Sequence, residues 1–260
     1  MNTRDYVMEK AKVISQEKIA QGIYSLWLKS DVAKDAKAGM FASLYCNDAS
    51  KLLPRPISIC EVDKENNALR FVYRVVGNGT KEFSELKAGD ELKIIGPLGN
   101  GYTLKNESAM LLAGGIGIPP MVELAKELKE MGVKDITIVA GYRDELFLTK
   151  ELETYGNLYI STEDGSAGSK GNVMNAISDN NLSAKVLYAC GPKPMLKAIK
   201  DYAIKENVEA QISLEERMAC GIGACLGCVC KTKDVDSHSH VNNARVCTDG
   251  PVFEAREVEL

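Results

Sequence analysis

Residues 216–230, ERMACGIGACLGCVC, hold four of the chain's eight cysteines, and a fifth, Cys247, follows nearby. Cys220, Cys225 and Cys228 have the spacing C-x4-C-x2-C, and eighteen residues separate Cys228 from Cys247. Three close thiols and a remote fourth are the ligand spacing of plant-type [2Fe–2S] sites. The small residues between them leave room for a loop to wrap a cluster and turn backbone N–H groups toward its sulfurs, which helps set the potential. Zinc is the alternative. Four-cysteine zinc sites usually arrive as two separate knuckles, but Cys228, Cys230, His238 and His240 could form a mixed site, although DVDSHSHVNN reads as a solvated loop. On the iron–sulfur reading Cys230 is spare and faces the core.

Other residues suit phosphates. In LLAGGIGIPPM a strand runs into Gly114, Gly115 and Gly117 and then into a helix opened by Pro119 and Pro120, so close backbone and unpaired N–H groups meet at one turn. YACGPKPML repeats the theme, placing Cys190 and Gly191 at the carboxyl end of another strand, where ligands of open α/β sheets collect. Cys190 also fits as a small buried residue. Arg55, held between Pro54 and Pro56, presents a planar fork suited to a pyrophosphate, or simply a solvated strand face. In VVGNGTKEF, Gly79 and Thr80 open a helical stretch with Thr80 as its expected N-cap, a second anion site that could share one dinucleotide with Arg55.

The elements that must carry these residues follow from periodicity. Residues 1–100 contain short alternating apolar runs (KVISQEKI, IYSLWLK, MFASLYC, PISICEV, ALRFVYRVV, DELKIIG) separated by turn signals, which predict an antiparallel barrel or sandwich. GPLGNGY at 96–102 suits a boundary. Beyond it, four strand–helix units predict a parallel sheet covered by helices on both faces. In the helix after Pro120, Met121, Leu124, Ala125 and Leu128 share one side, with Glu123, Lys126, Glu127 and Glu130 opposite. The last segment ends in strand-like PVFEAREVEL. The expected division is therefore 1–101, 102–210 and 211–260.

Composition narrows the partners. With 45% hydrophobic and 26% charged residues the chain reads as globular, and a net charge of −4 offers no footprint for nucleic acid or an anionic membrane. MNTRDYVMEKAKV has no apolar leader region, and the longest apolar stretch, AMLLAGGIGIPPMV, is too short and too broken to span a bilayer. A cytoplasmic location is expected, where structural disulfides are rare.

Together, RPISI, YRVVGNGT, GPLGNG, GGIGIPP, CGPKPML and EERMACGIGACLGCVC…VCTDGPVF resemble, in order and spacing over essentially the whole chain, the ferredoxin-reductase superfamily. Within it the chain looks like the family of electron-transfer subunits of bacterial class 1B, NAD-dependent, dihydroorotate dehydrogenases. The resemblance implies an FAD-binding β-barrel, a Rossmann-like NAD-binding α/β domain and a C-terminal [2Fe–2S] segment. It implies FAD contacts from Arg55, Pro56, Ile57, Ser58, Val72, Tyr73, Arg74, Gly79 and Thr80, and cluster ligation by Cys220, Cys225, Cys228 and Cys247. NAD would lie against Gly114, Gly115, Gly117, Cys190 and Gly191. In the wider superfamily an aromatic residue commonly stands where this chain has Ile57, and an arginine where it has Pro54. The preference for NAD over NADP rests on the resemblance, with Asp144 and Glu145 as acidic residues after the ITIVAGYR strand.

A nicotinamide exchanges two electrons at once and a [2Fe–2S] centre one, so a flavin must divide the pair. The resemblance implies a catalytic FMN-containing partner, in a heterotetramer of two of each chain, that oxidises dihydroorotate in UMP biosynthesis and sends electrons through the cluster and FAD to NAD+. No Ser/His/Asp set or HExxH helix is present, which agrees with a chain that supplies no acid or base to a substrate. Two alternatives are a flavin subunit of another complex, such as a transhydrogenase or hydrogenase, and a zinc-stabilised nucleotide-binding module without redox function.

Overall fold

The computed structural model describes residues 6–235 and 240–260. The alternating runs of the first hundred residues close on themselves. Strands β1 (Val7–Ala20), β2 (Ile23–Lys29), β3 (Phe41–Leu44), β4 (Arg55–Asp63), β5 (Ala68–Arg74) and β6 (Glu91–Leu98) form a closed barrel in the order β1-β2-β5-β4-β3-β6. Every pair in it is antiparallel. Inward positions such as Val13, Leu26, Leu28, Leu44, Ile59, Phe71 and Tyr73 fill the interior. Register shifts in β1 between Val13 and Ser15 and between Lys18 and Ala20 bend this long strand around the barrel. Helix α1 (Asn78–Phe83) plugs one end with Phe83.

The second layer is a seven-stranded sheet. Its elements are β7 (Ala109–Gly114), α2 (Pro120–Glu130), β8 (Ile136–Tyr142), α3 (Thr149–Tyr155), β9 (Asn157–Thr162), β10 (Ser169–Lys170), α4 (Val173–Asp179), β11 (Val186–Cys190), α5 (Lys193–Lys205) and β12 (Glu209–Ser213). After them come a hairpin, β13 (Val229–Lys231) and β14 (Asn243–Arg245), and a last strand, β15 (Val252–Glu254). The sheet order is β10-β9-β8-β7-β11-β12-β15, parallel except for β15, which pairs antiparallel with β12. β12 crosses position 210, and β15 ties the C-terminal segment into the sheet edge. The chain moves outward from β7 to β10 on one side and then from β11 to β12 on the other, so the strand order reverses between β7 and β11.

Helix α2 joins the two layers. Met121, Leu124, Ala125 and Leu128 are fully buried against the sheet, as the periodicity requires. Its opposite face packs on the barrel: Glu123, 3% exposed, accepts from the Val62 N–H at 2.8 Å, and Glu127 accepts from the Ala38 N–H at 2.9 Å. Lys126 donates to the Val62 carbonyl at 2.6 Å and pairs with Glu123 at 3.4 Å. Arg70 of β5 bridges Glu61 of β4 (2.6 Å) and Glu151 of α3 (3.1 Å), and Tyr102 donates to the Ala189 carbonyl at 3.0 Å. No helix among the described residues is long and apolar enough to cross a membrane.

Candidate cofactor sites on the barrel and the sheet

The start of β4, the end of β5 and helix α1 come together at one edge of the barrel. The Arg55 guanidinium lies across Gly79 so closely that a Cβ on Gly79 would overlap Nε and Cζ and sit 2.5 Å from Nη2. Arg55 also donates through Nη1 to the Leu53 carbonyl, fixing the fork. The two anion-suited features of the sequence are thus one feature in space. Thr80 is not the N-cap of α1; Gly77 is. The Thr80 hydroxyl, at N3, reaches back to accept from the N–H groups of Val76 (3.0 Å) and the Gly77 cap (3.2 Å), while the glycine cap has no side chain to serve the first-turn N–H groups in return. Pro56, Ile57 and Ser58 follow Arg55 along β4 and are half-buried. Val72 and Tyr73 are buried, whereas Arg74 is exposed. The Tyr73 side chain points into the barrel, where its hydroxyl accepts from Gln16 Nε2 at 2.6 Å and its ring meets Phe83 edge-on.

The second set of residues occupies the reversal between β7 and β11. Gly114 ends β7, Gly115 and Gly117 form a 3-10 turn, and α2 begins at Pro120. Cys190 ends β11, paired with Ala113 of β7, and Gly191 follows it. A Cβ on Gly117 would overlap the Cys190 carbonyl oxygen and come within 2.7 Å of the Gly191 nitrogen, so the two loops pack backbone to backbone. This is the topological switch point of an open α/β sheet, the place where such sheets bind nucleotides. Burial pushes the Cys190 thiol up to about 12, which keeps it neutral. Glu145 is committed elsewhere, accepting from the Gln21 N–H of the barrel at 2.7 Å, and Asp144 accepts from the Glu145 N–H.

The cysteine segment lies against the outer face of β3. Phe41 and Ser43, alternate residues on that strand, and Tyr45 just past its end, point away from the barrel interior that Ala42 and Leu44 fill. Phe41 joins the cluster of buried residues that contains Cys228, Val246 and Cys247, Ser43 lies under Gly221, and Tyr45 is close enough to Cys220 for a thiolate charge there to reinforce the upward push of burial on its phenol.

The four thiols fall into two pairs. Cys220 neighbours Cys225 and Cys247 neighbours Cys228, each affecting the other's ionisation, and the Cys247 N–H donates to Cys228 Sγ at 3.4 Å. Cys220 also lies within electrostatic range of Cys247. Among the described residues no three His, Cys, Asp or Glu side chains converge as they would on one metal ion. Two thiol pairs suit a cluster of two irons. Backbone N–H groups are turned to the sulfurs: those of Ile222, Ala224 and Cys225 toward Cys220, that of Gly223 toward Cys247, and that of Gly227 toward Cys225 Sγ at 3.4 Å. Burial raises the Cys220 thiol, but these donors and the Cys225 side chain outweigh it and hold it at about 7. Burial and the neighbouring Cys228 raise Cys247.

Cys230 sits in the β13–β14 hairpin, half-buried against the same apolar cluster, its thiol pushed up by burial to about 11. His240 is exposed, and His238 lies outside the described residues. Arg245 and Asp249, joined by a 2.7 Å bond from the Arg245 N–H, brace the end of the hairpin. The sequence reading missed Ser43 and Tyr45; the one available signal was the alternation within MFASLYC, which puts them on the same side as Phe41.

The chain matches the iron-sulfur cluster binding domain of dihydroorotate dehydrogenase B over residues 215–259 and an oxidoreductase NAD-binding domain over residues 111–201. It is 42% identical over 97% of its length, and 99% of the relative's, to the dihydroorotate dehydrogenase B (NAD(+)) electron transfer subunit of Fusobacterium nucleatum subsp. nucleatum. The corresponding subunit of Listeria innocua serovar 6a is 44% identical over 96% of this chain and 98% of that one. Among solved structures, an NADH-dependent reduced ferredoxin-NADP oxidoreductase, described in connection with flavin-based electron bifurcation, superposes with a TM-score of 0.86 at 30% identity, covering 96% of this chain and 89% of that one. The ferredoxin reductase of carbazole 1,9a-dioxygenase, at 17% identity and a TM-score of 0.68 over 80% of this chain and 68% of that one, shares the fold. The chain belongs to the family of dihydroorotate dehydrogenase B (NAD(+)) electron transfer subunits.

Proposed function

We propose that this chain is the electron-transfer subunit of an NAD-dependent dihydroorotate dehydrogenase, carrying to NAD+ the electrons that a catalytic FMN-containing partner takes from dihydroorotate in pyrimidine biosynthesis. The observation that carries this reading is the position of the paired thiols on the outer face of β3, one strand away from the Arg55–Gly79 cradle on β4. Cys220 with Cys225 and Cys228 with Cys247 would hold a [2Fe–2S] cluster.

Arg55 would take a pyrophosphate on its fork, beside the main chain of Gly79 and Thr80. Pro56, Ile57 and Ser58 would border the flavin. Tyr73, whose side chain is spent inside the barrel, would contribute main chain alongside Val72, with Arg74 as an exposed cation. Gly114, Gly115 and Gly117, facing Cys190 and Gly191, would hold NAD at the switch point. When bound, FAD supplies the exchange between two-electron hydride chemistry and one-electron chemistry. The working division is 1–101 for FAD, 102–210 for NAD and 211–260 for the cluster, the last lending β15 to the sheet. A cytoplasmic location would keep the cluster thiols reduced and available for ligation.

The test is to purify the chain anaerobically, record its visible spectrum and assay flavin, iron, sulfide and zinc. The catalytic subunit is then added with dihydroorotate and NAD+. The expected result is FAD, two irons per chain and dihydroorotate-dependent NADH formation; zinc without sulfide would overturn the proposal. A reductase subunit of another complex, favoured by the likeness to the ferredoxin-NADP oxidoreductase, predicts flavin and iron but no dihydroorotate-dependent turnover.

A further inference from the structure

Ser43 is 1% exposed, and its hydroxyl is buried without a hydrogen-bond partner. Leaving a buried hydroxyl unpaired costs about 1–3 kcal/mol, and folded proteins keep few such groups without a reason such as an absent ion or ligand. The strand context explains why no protein group serves it. β3 is hydrogen-bonded between β4 and β6, with Ser43 opposite Pro56 on one side and Ile95 on the other. The side chain leaves the barrel on the face that carries the cysteine loop. There it meets Gly221, the residue after Cys220, whose φ is +72° and on which a Cβ would sit 2.9 Å from Ser43 Oγ. The loop comes this close because position 221 has no side chain. From above, the N–H groups of Ile222, Ala224 and Cys225 are turned toward the Cys220 sulfur. Ser43 Oγ faces the backbone of the residue that follows Cys220, and it can rotate its proton to suit an acceptor.

We propose that Ser43 is a positioning residue for electron transfer, its Oγ–H donating a hydrogen bond to a sulfur of the cluster held by Cys220 and Cys225. The inference rests on the cluster reading given above. A donor to a cluster sulfur stabilises the reduced, more negative state and so raises the reduction potential. β3 pairs with β4, the strand that carries Arg55, so Ser43 lies on the strand next to the proposed flavin-binding strand.

The experiment uses the complex of this chain with its catalytic subunit, in wild-type form and with Ser43→Ala, Ser43→Val and Ser43→Thr. Iron and sulfide are assayed first, then the midpoint potential and electron paramagnetic resonance spectrum of the reduced cluster are measured. The expected result is normal iron and sulfide, a lower potential and an altered spectrum in the Ala variant, and wild-type values in the Thr variant, which keeps the hydroxyl. Unchanged potential and spectrum in a fully loaded Ala variant overturn the inference and leave the cluster reading standing. Wild-type protein without iron and sulfide removes both. If Ala does not load, Val decides by the same criteria. Loss of the cluster in Ala and Val but not Thr supports the hydroxyl; loss in all three makes the site merely structural and overturns the inference.

Discussion

The Arg55 guanidinium fills the volume that a side chain at Gly79 would need, overlapping the Cβ position at Nε and Cζ. Barrel strand and helix therefore make one cation-lined cradle, and its shape depends on a missing methyl group. Gly79→Ala should displace Arg55, and it adds volume to a site where Gly79 itself is buried. We expect FAD affinity to fall on the order of tenfold, equivalent to about 1.4 kcal/mol. Titration of the apoprotein with FAD, followed by flavin fluorescence, checks this; an unchanged dissociation constant would separate Arg55 from flavin binding.

Gly117→Ala attacks the other site. Its new methyl group would press on the Cys190 carbonyl, where backbone stands on both sides and no flexible side chain can yield. Overpacking of this kind typically costs about 1–3 kcal/mol, so the melting temperature should drop. More specifically, KM for NADH should rise on the order of tenfold with an artificial electron acceptor, while bound flavin is retained. A variant with normal KM would move the nicotinamide nucleotide away from the β7–β11 reversal.

The cysteines should divide by position rather than by proximity in sequence. Cys225→Ser removes one member of the Cys220–Cys225 pair and should lose the cluster, crippling transfer to the partner while some NADH-driven flavin reduction persists. Cys230→Ser, only five residues away, should keep iron and sulfide, since Cys230 packs against apolar neighbours in the hairpin. Iron and sulfide assays with stopped-flow flavin reduction check both; a cluster lost from Cys230→Ser alone would reverse the assignment.

How far these sites could be read in advance depended on how local their signals are. The proposed cysteine ligands and the six barrel runs are written in spacing and alternation, which neighbouring residues alone determine. The order β1-β2-β5-β4-β3-β6 is not, because it depends on which strands meet after the chain has turned several times. Ser43 reads as an ordinary polar residue on a strand; only the arrival of Gly221 from far along the chain makes it unusual. Glu123 illustrates the same limit. Helical periodicity shows that it lies opposite Leu124 and Leu128, but not that a barrel strand stands against that face. Thr80 reads as a cap in sequence because a Gly at the true cap leaves no side-chain signal.

Glu123 gives the interface between barrel and sheet a pH dependence. Burial pushes its carboxyl from the ordinary 4.5 up to about 7, against the opposing pull of the Val62 N–H and the Lys126 ammonium. The folded state therefore binds this proton more tightly than the unfolded state, and the stability it contributes is present at low pH and lost as pH rises from about 4.5 through about 7. A shift of this size corresponds to at most about 3 kcal/mol, at 1.36 kcal/mol per pH unit. Glu123→Gln keeps an oxygen to accept from Val62 but cannot ionise. Across pH 5 to 8 its stability should be flatter than wild type, and above about pH 7 it should equal or exceed wild type. Lys126 limits that gain, because it loses a charged partner while keeping its bond to the Val62 carbonyl. Chemical denaturation at several pH values provides the measurement, and parallel curves for the two proteins would show that Glu123 stays ionised at the interface throughout.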